Sequence, residues 1–183
     1  MSRLGVFGGQ FDPPHNGHLA VVRAAREQAG LDEVVVIPDG TPPHREASTL
    51  DARTRFRLAQ AAFRGEPGVT VSDMALAADG PVFMADKLER LAPGRELFLL
   101  LGADQYAAFD RWRDPQRIRR LATLVVAPRS GHPPAGNGDL ALAMPPVDCS
   151  SSELREALAG GEDVRDRVPE AVWGIIERER LYR

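Results

Sequence analysis

Basic charge is not in excess in this chain of 183 residues: 23 Lys and Arg residues stand against 26 Asp and Glu, for a formal net charge of −3. The global basic footprint that grips nucleic-acid backbones is therefore missing. Cysteine is nearly absent. Cys149 stands alone, which excludes an internal disulfide framework and a zinc cluster built on cysteines. No apolar run reaches about 18 residues, so no membrane span is expected. The first apolar run, Leu4–Phe7, is too short for a secretory leader, and a soluble cytoplasmic protein is expected. Lysine is as scarce as cysteine: Lys87 is the only one, and the other 22 basic residues are arginine. Genomic composition accounts for that bias, so a phosphate-binding role for any arginine has to be argued residue by residue.

What is present is an ordinary globular composition, 43% hydrophobic and 27% charged. The length suits one domain, 1–183. The spacing of apolar residues predicts strands over Leu4–Phe7, Glu33–Pro38, Val69–Ser72, Glu96–Leu101, Thr123–Ala127 and Leu140–Met144. It predicts helices from Gly17 to Gly30, Asp51 to Arg64, Met84 to Leu91, and from Ser150 to Gly160. Two more start at Asp114-Pro115 and at Pro169, the former with Asp114 as cap and proline at the first helical position. Ser150 and Glu153 fit a capping box. Strands alternating with helices argue an α/β layered fold with a mostly parallel sheet. In such sheets the ligand sits beyond the carboxyl ends of the strands. The unusual residues fall there: Gly8–His18 after the first strand, Pro42–Arg45 after the second, Gly102–Asp104 after the fourth.

The first of these segments reads Gly8-Gly9-Gln10-Phe11-Asp12-Pro13-Pro14-His15-Asn16-Gly17-His18. Its glycines let backbone approach a phosphate, and the helix start behind it offers unpaired N–H groups. His15 and His18, three apart, aim at one point and can donate hydrogen bonds without carrying permanent charge. Spacing alone leaves three readings open: phosphate binding, somewhat ahead; a Gly/Pro turn with two exposed histidines; and a metal site of Asp12, His15 and His18. A second segment, Cys149-Ser150-Ser151-Ser152-Glu153-Leu154-Arg155, is a capped helix start able to take nucleotide phosphates. Taken alone, ordinary helix capping explains it better. Asp104 suits ribose hydroxyls or a helix cap, Trp112 a pyridine ring or the core, and Arg45 a phosphate or solvent.

The first string resembles the signature Gly-x-Phe-Asp-Pro-x-His-x-Gly-His of the nucleotidylyltransferase superfamily, with Gln10 where Thr or Ser is usual. The second resembles that superfamily's Ile-Ser-Ser-Thr-x-x-Arg, with Cys149 for Ile and Ser152 for Thr. Three stretches resemble the bacterial nicotinate mononucleotide adenylyltransferases: Pro42-Pro43-His44-Arg45, Gly102-Ala103-Asp104-Gln105-Tyr106 followed by Trp112, and Val168-Pro169-Glu170 through Leu181-Tyr182-Arg183.

The resemblance implies a Rossmann-like, doubly wound α/β fold with helices on both faces of the sheet. It implies transfer of AMP from ATP to nicotinate mononucleotide, giving deamido-NAD and pyrophosphate, with Mg²⁺ held mainly by ATP phosphates. The implied catalytic residues are His15, His18 and Arg155. The implied ATP-binding set adds Gly8, Gly9, Gln10, Phe11, Gly17, Gly102, Asp104, Ser151 and Ser152. The implied acceptor-binding set is Arg45, Phe83, Met84, Trp112 and Arg129. Aligned on Leu88, the chain has Val82, Phe83 and Met84 where the family carries Ser-Tyr-Thr, which keeps backbone donors and loses a hydroxyl. Nicotinamide mononucleotide is therefore a rival acceptor, phosphopantetheine is another because its family resembles the Ser-rich second motif, and a non-catalytic nucleotide-binding paralogue is the rival of another class. A redox Rossmann enzyme is disfavoured, because no Gly-x-Gly-x-x-Gly follows the first strand. Neither nucleic acid nor membrane is implied as a partner, and a homo-oligomer is left open.

Overall fold

The computed structural model describes residues 1–40, 50–76, 80, 82–131, 136 and 138–183. Six strands form one sheet: β1 (Ser2–Gly9), β2 (Glu33–Pro38), β3 (Val69–Val71), β4 (Arg95–Gly102), β5 (Ala122–Ala127) and β6 (Leu140–Ala141). Their order is β3-β2-β1-β4-β5-β6, and every pair is parallel. The expected sheet was mostly parallel; the one described is wholly so, with the strand order of a doubly wound nucleotide-binding fold. Parallel neighbours need crossovers. The helices are α1 (Asn16–Gln28), α2 (Ala52–Phe63), α3 (Met84–Leu91), α4 (Ala103–Ala107), α5 (Pro115–Leu121), α6 (Ser151–Ala159) and α7 (Glu170–Glu179). They lie in the connections from β1 to β2, β2 to β3, β3 to β4 and β4 to β5, none is described between β5 and β6, and two more follow β6.

Both faces of the sheet are covered, which is why its strands are apolar almost throughout. Alternate side chains of each strand feed two cores. On one face Phe7, Val34, Val36, Phe98, Leu100 and Val125 pack with residues of α1, α2, α6 and α7. On the other, Val6, Val35, Ile37, Leu99, Leu101 and Leu124 pack with residues of α3 and α5. Among the described residues no helix is long and apolar enough to cross a membrane.

Three sequence expectations change in detail. Asp114 does precede α5, but it adopts a left-handed conformation (φ 56°) and its side chain makes no capping bond. The last strand stops at Ala141 rather than Met144. A short helix, α4, and a 3₁₀ turn, Phe109–Arg111, follow β4, where the sequence offered a helix start only as one of two readings of Asp104. Five residues are too few to show a helical period. The segment Pro42–Arg45 lies outside the described residues.

Candidate active site

The winding of the sheet reverses between β1 and β4, and a cleft of about 470 Å³ opens there at the carboxyl ends of β1, β4 and β5. Every residue of the expected ATP-binding set lines it: Gly8, Gly9, Gln10, Phe11, His15, Gly17, His18, Gly102, Asp104, Ser151, Ser152 and Arg155. Arg129, expected on the acceptor side, lines the same cleft. So do Gln105, Val147 and Cys149, which the sequence reading did not single out as site residues. Gln105 and Cys149 stand inside the motifs themselves, which is the signal that could have suggested them, and Val147 lies two residues before Cys149.

His15 and His18 stand where β1 hands over to α1. Their ring centroids are 3.7 Å apart at an interplanar angle of 30°. The backbone N–H of His15 donates to His18 Nδ1 at 3.0 Å, so a neutral His18 carries its proton on Nε2. The edge of Phe11 holds the His18 ring at 5.0 Å. Burial, helped by Arg129 and opposed by Glu153, lowers the His15 pKa to about 4. Burial and then His15 push His18 well below the usual histidine range. Both rings are therefore uncharged at neutral pH and can donate to an anion without an ion-pair desolvation cost. The reading of two exposed histidines is corrected: His15 is 4% exposed, and its Nδ1 is buried without a hydrogen-bond partner among the described residues.

Gly17 is required by this packing. A Cβ there would lie 2.3 Å from Val147 Cγ1 and 2.9 Å from His15 Nδ1. The metal reading is also corrected. Among the described residues no three His, Cys, Asp or Glu side chains gather to hold an ion, and an oxygen of the buried Asp12 carboxylate is taken by the Tyr182 hydroxyl at 2.7 Å.

The second motif closes onto the first. Ser150 caps α6 as expected: its Oγ accepts from the Glu153 N–H at 3.2 Å, and its own N–H donates to Glu153 Oε2 at 2.9 Å. The Ser151 hydroxyl then donates to the Pro13 carbonyl at 2.9 Å. Arg155 donates through Nη1 to the Asp12 carbonyl at 2.8 Å and through Nη2 to Ser152 Oγ at 3.2 Å. A guanidinium has five N–H donors, so Arg155 keeps donors for the cleft it lines.

Behind this joint sits Arg55 of α2, 1% exposed. It donates to the carbonyls of Gln10 at 3.0 Å and Gly40 at 2.7 Å. The sequence reading missed it. The signal available was its place one turn before Leu58 and Ala59, on the apolar face of the helix, where an arginine needs buried acceptors.

On the β4–β5 side, Asp104 pairs with Arg129 at 3.2 Å. Gly102 is the residue that precedes α4, so Asp104 lies in the first turn and is not its cap. Cys149 is half-buried, and burial raises its thiol pKa, the opposite of what an activated nucleophile needs.

The expected acceptor residues Phe83, Met84 and Trp112 do not line the cleft. They lie beside it. The Met84 methyl packs on Gly8, within 2.5 Å of where a Cβ would stand. The Arg113 guanidinium covers the Phe83 ring at 4.2 Å, and Trp112 packs on Phe109 at 5.6 Å. The segments after β4 and before α3 thus meet through Arg113 and Phe83. Arg45 lies outside the described residues.

With this geometry in hand, comparison with known proteins is specific. A family model described as "Cytidylyltransferase-like" matches residues 6–157. The chain is 39% identical over 186 residues to a "Probable nicotinate-nucleotide adenylyltransferase" of Thermus thermophilus, covering 99% of this chain and 100% of that one. It is 34% identical over 199 residues to a protein of the same name from Rhodopirellula baltica, covering 98% and 93%. Among solved structures it is similar to the Plasmodium falciparum nicotinic acid mononucleotide adenylyltransferase complexed with NaAD, with a TM-score of 0.83 at 16% identity, covering 100% of this chain and 98% of that one. At that identity the likeness speaks for the fold.

Proposed function

Because this chain belongs to the cytidylyltransferase-like family, we propose that it transfers AMP from ATP to nicotinate mononucleotide, forming the deamido dinucleotide and pyrophosphate in NAD biosynthesis. The observation that carries the reading is the junction of the two motifs. Arg155 and Ser151 reach the Asp12 and Pro13 carbonyls at 2.8 and 2.9 Å, beside two neutral imidazoles at the start of α1. The names of the full-length relatives support the acceptor.

The reaction joins a phosphate oxygen of the mononucleotide to the α-phosphorus of ATP while the bond from that phosphorus to the β-phosphate bridging oxygen breaks. Negative charge grows on the α-phosphate oxygens and on the departing pyrophosphate. His15 and His18 donate to the α-phosphate oxygens. Arg155, with the first N–H groups of α6, holds the pyrophosphate. Asp104 takes the ribose hydroxyls. Phe83, Met84, Trp112 and Arg45 receive the acceptor, and Arg129 acts on phosphate. No covalent enzyme intermediate is needed, so catalysis rests on positioning and on charge stabilisation. Mg²⁺ would be held mainly by the ATP phosphates and would neutralise charge there. Residues 1–183 act as one nucleotidylyltransferase domain, in the cytoplasm.

The test is pyrophosphate release with ATP and Mg²⁺, comparing kcat/KM for nicotinate mononucleotide, nicotinamide mononucleotide and phosphopantetheine. The nicotinate acceptor is expected to lead. A lead by either of the others moves the substrate and keeps the chemistry. Intact ATP binding without release from any acceptor overturns the reading in favour of a non-catalytic paralogue.

A further inference from the structure

The chain's only lysine is one of its most deeply buried side chains. Lys87 sits in the first turns of α3, 1% exposed, and its ammonium donates to Asp39 Oδ1 at 2.9 Å. Asp39 follows directly on β2. Its own N–H donates to the Gly9 carbonyl at the end of β1, at 2.8 Å. A continuous polar chain thus runs from the glycine floor of the cleft, through Asp39, to α3. At the other end of this connection, the Lys87 N–H donates to the Phe83 carbonyl at 3.1 Å, one helical turn back at the residue that opens α3.

That opening needs an anchor. α3 has eight residues, and Phe83 provides no side-chain cap. Arg117 of α5 ties the helix from its outer side, through Asp86 at 3.1 Å and through Glu89, but that link reaches the neighbouring helix and not the cleft. Lys87 forms the ion pair that ties α3 to the strand ends. Lys87 is buried while the Asp39 side chain is 34% exposed, so the pair is a poor source of net stability: desolvating the ammonium offsets much of its attraction to a carboxylate that water still screens. A Met or Leu at the same place would hold α3 to the sheet at least as firmly. What the pair adds is direction: one donor and one acceptor fix the register of a short helix against β1 and β2.

We propose that the Lys87–Asp39 pair is a positioning device for the acceptor half of the site. It sets where α3 begins, and therefore where the backbone donors of Phe83 and Met84 stand relative to the Gly8-Gly9 floor. The inference rests on the assignment of Phe83 and Met84 to the acceptor made above. Lys87 acts through α3 and touches no substrate.

The experiment compares the wild type with Lys87→Met, Asp39→Asn and the double variant. ATP and nicotinate mononucleotide are varied separately in the pyrophosphate assay, and thermal unfolding is followed for each protein. Each single variant is expected to raise the KM for the mononucleotide about tenfold or more, since a small misplacement is enough, and to leave the KM for ATP within about twofold. The double variant is expected to regain thermal stability, because no charge is left unpaired, while its acceptor KM stays high. Equal rises for both substrates, or an acceptor KM that recovers together with stability, overturn the inference and make the pair purely structural. If the variants do not fold, acetylation of the single ε-amine of the wild type decides. Nicotinate mononucleotide is expected to slow it more than ATP does, and equal or absent protection overturns the inference. A wild type that releases no pyrophosphate with any acceptor overturns the functional reading and this inference together. A wild type that does, beside variants with normal acceptor KM, overturns this inference alone.

Discussion

The Tyr182 hydroxyl donates to Asp12 Oδ1 at 2.7 Å across 170 positions of sequence, so the end of the chain is bonded to the back of the first motif. The backbone of the same Asp12 accepts from Arg155. Burial and the Asp12 carboxylate push the Tyr182 phenol up, so it stays protonated and donates. Tyr182→Phe keeps the ring and removes one donor from a buried carboxylate. It is expected to cost about 1–3 kcal/mol of stability and to lower kcat, because the Asp12 segment that Arg155 grips is loosened. Urea unfolding and pyrophosphate release measure the two. An unchanged protein by both would show that the bond is idle.

His18 stacks on His15 and is held from behind by Phe7 and Phe11. His18→Ala is expected to lower turnover by about two decades or more, the range of a lost transition-state donor, with the fold retained. Circular dichroism checks the fold, and steady-state kinetics check the loss. Near-normal turnover would remove His18 from the mechanism.

His15 makes stability depend on pH in a defined window. The unfolded chain takes its proton near 6.5, whereas the folded site takes it only at about 4. Between these values the unfolded state binds more protons, so stability is full above 6.5 and falls as pH drops toward 4. The loss amounts to about 3 kcal/mol, and His18, lowered in the same direction, adds to it. Urea midpoints of the wild type and of His15→Gln across this range isolate the effect. The variant is expected to have the flatter profile, and parallel profiles would contradict the burial argument.

Gly17→Ala inserts a methyl group 2.3 Å from Val147 Cγ1 and 2.9 Å from His15 Nδ1. Overpacking of this kind costs about 1–3 kcal/mol, and here the atoms that must move include the imidazole. The melting temperature is expected to fall and kcat to fall with it. Val147→Ala in the same chain removes only one of the two clashes, so it is expected to recover stability more than turnover. Full recovery of both would mean that the His15 ring tolerates the methyl.

Much of the fold is legible in short stretches of sequence. Val34-Val35-Val36-Ile37, short and β-branched, reads as a strand buried on both faces, and the structure places β2 over the predicted Glu33–Pro38. Ser150 and Glu153 declare the start of α6 because a capping box needs only residues three apart. The glycines and histidines of the first motif are likewise local, and they line one cleft together. What stayed hidden is what depends on distance along the chain. Nothing near Asp12 announces Tyr182, and nothing near Lys87 announces Asp39, 48 positions away. Arg55 looks like any helix arginine until Gln10 and Gly40 are seen to turn their carbonyls toward it. Trp112 reads from sequence alone as packing ahead of a stacking platform, and only the fold sets it against Phe109. Local conformation follows from steric and hydrogen-bond preferences within a few residues, which the sequence by itself determines. The partner of a buried charge is chosen by which strand ends and helix starts come together, and only the tertiary structure decides that.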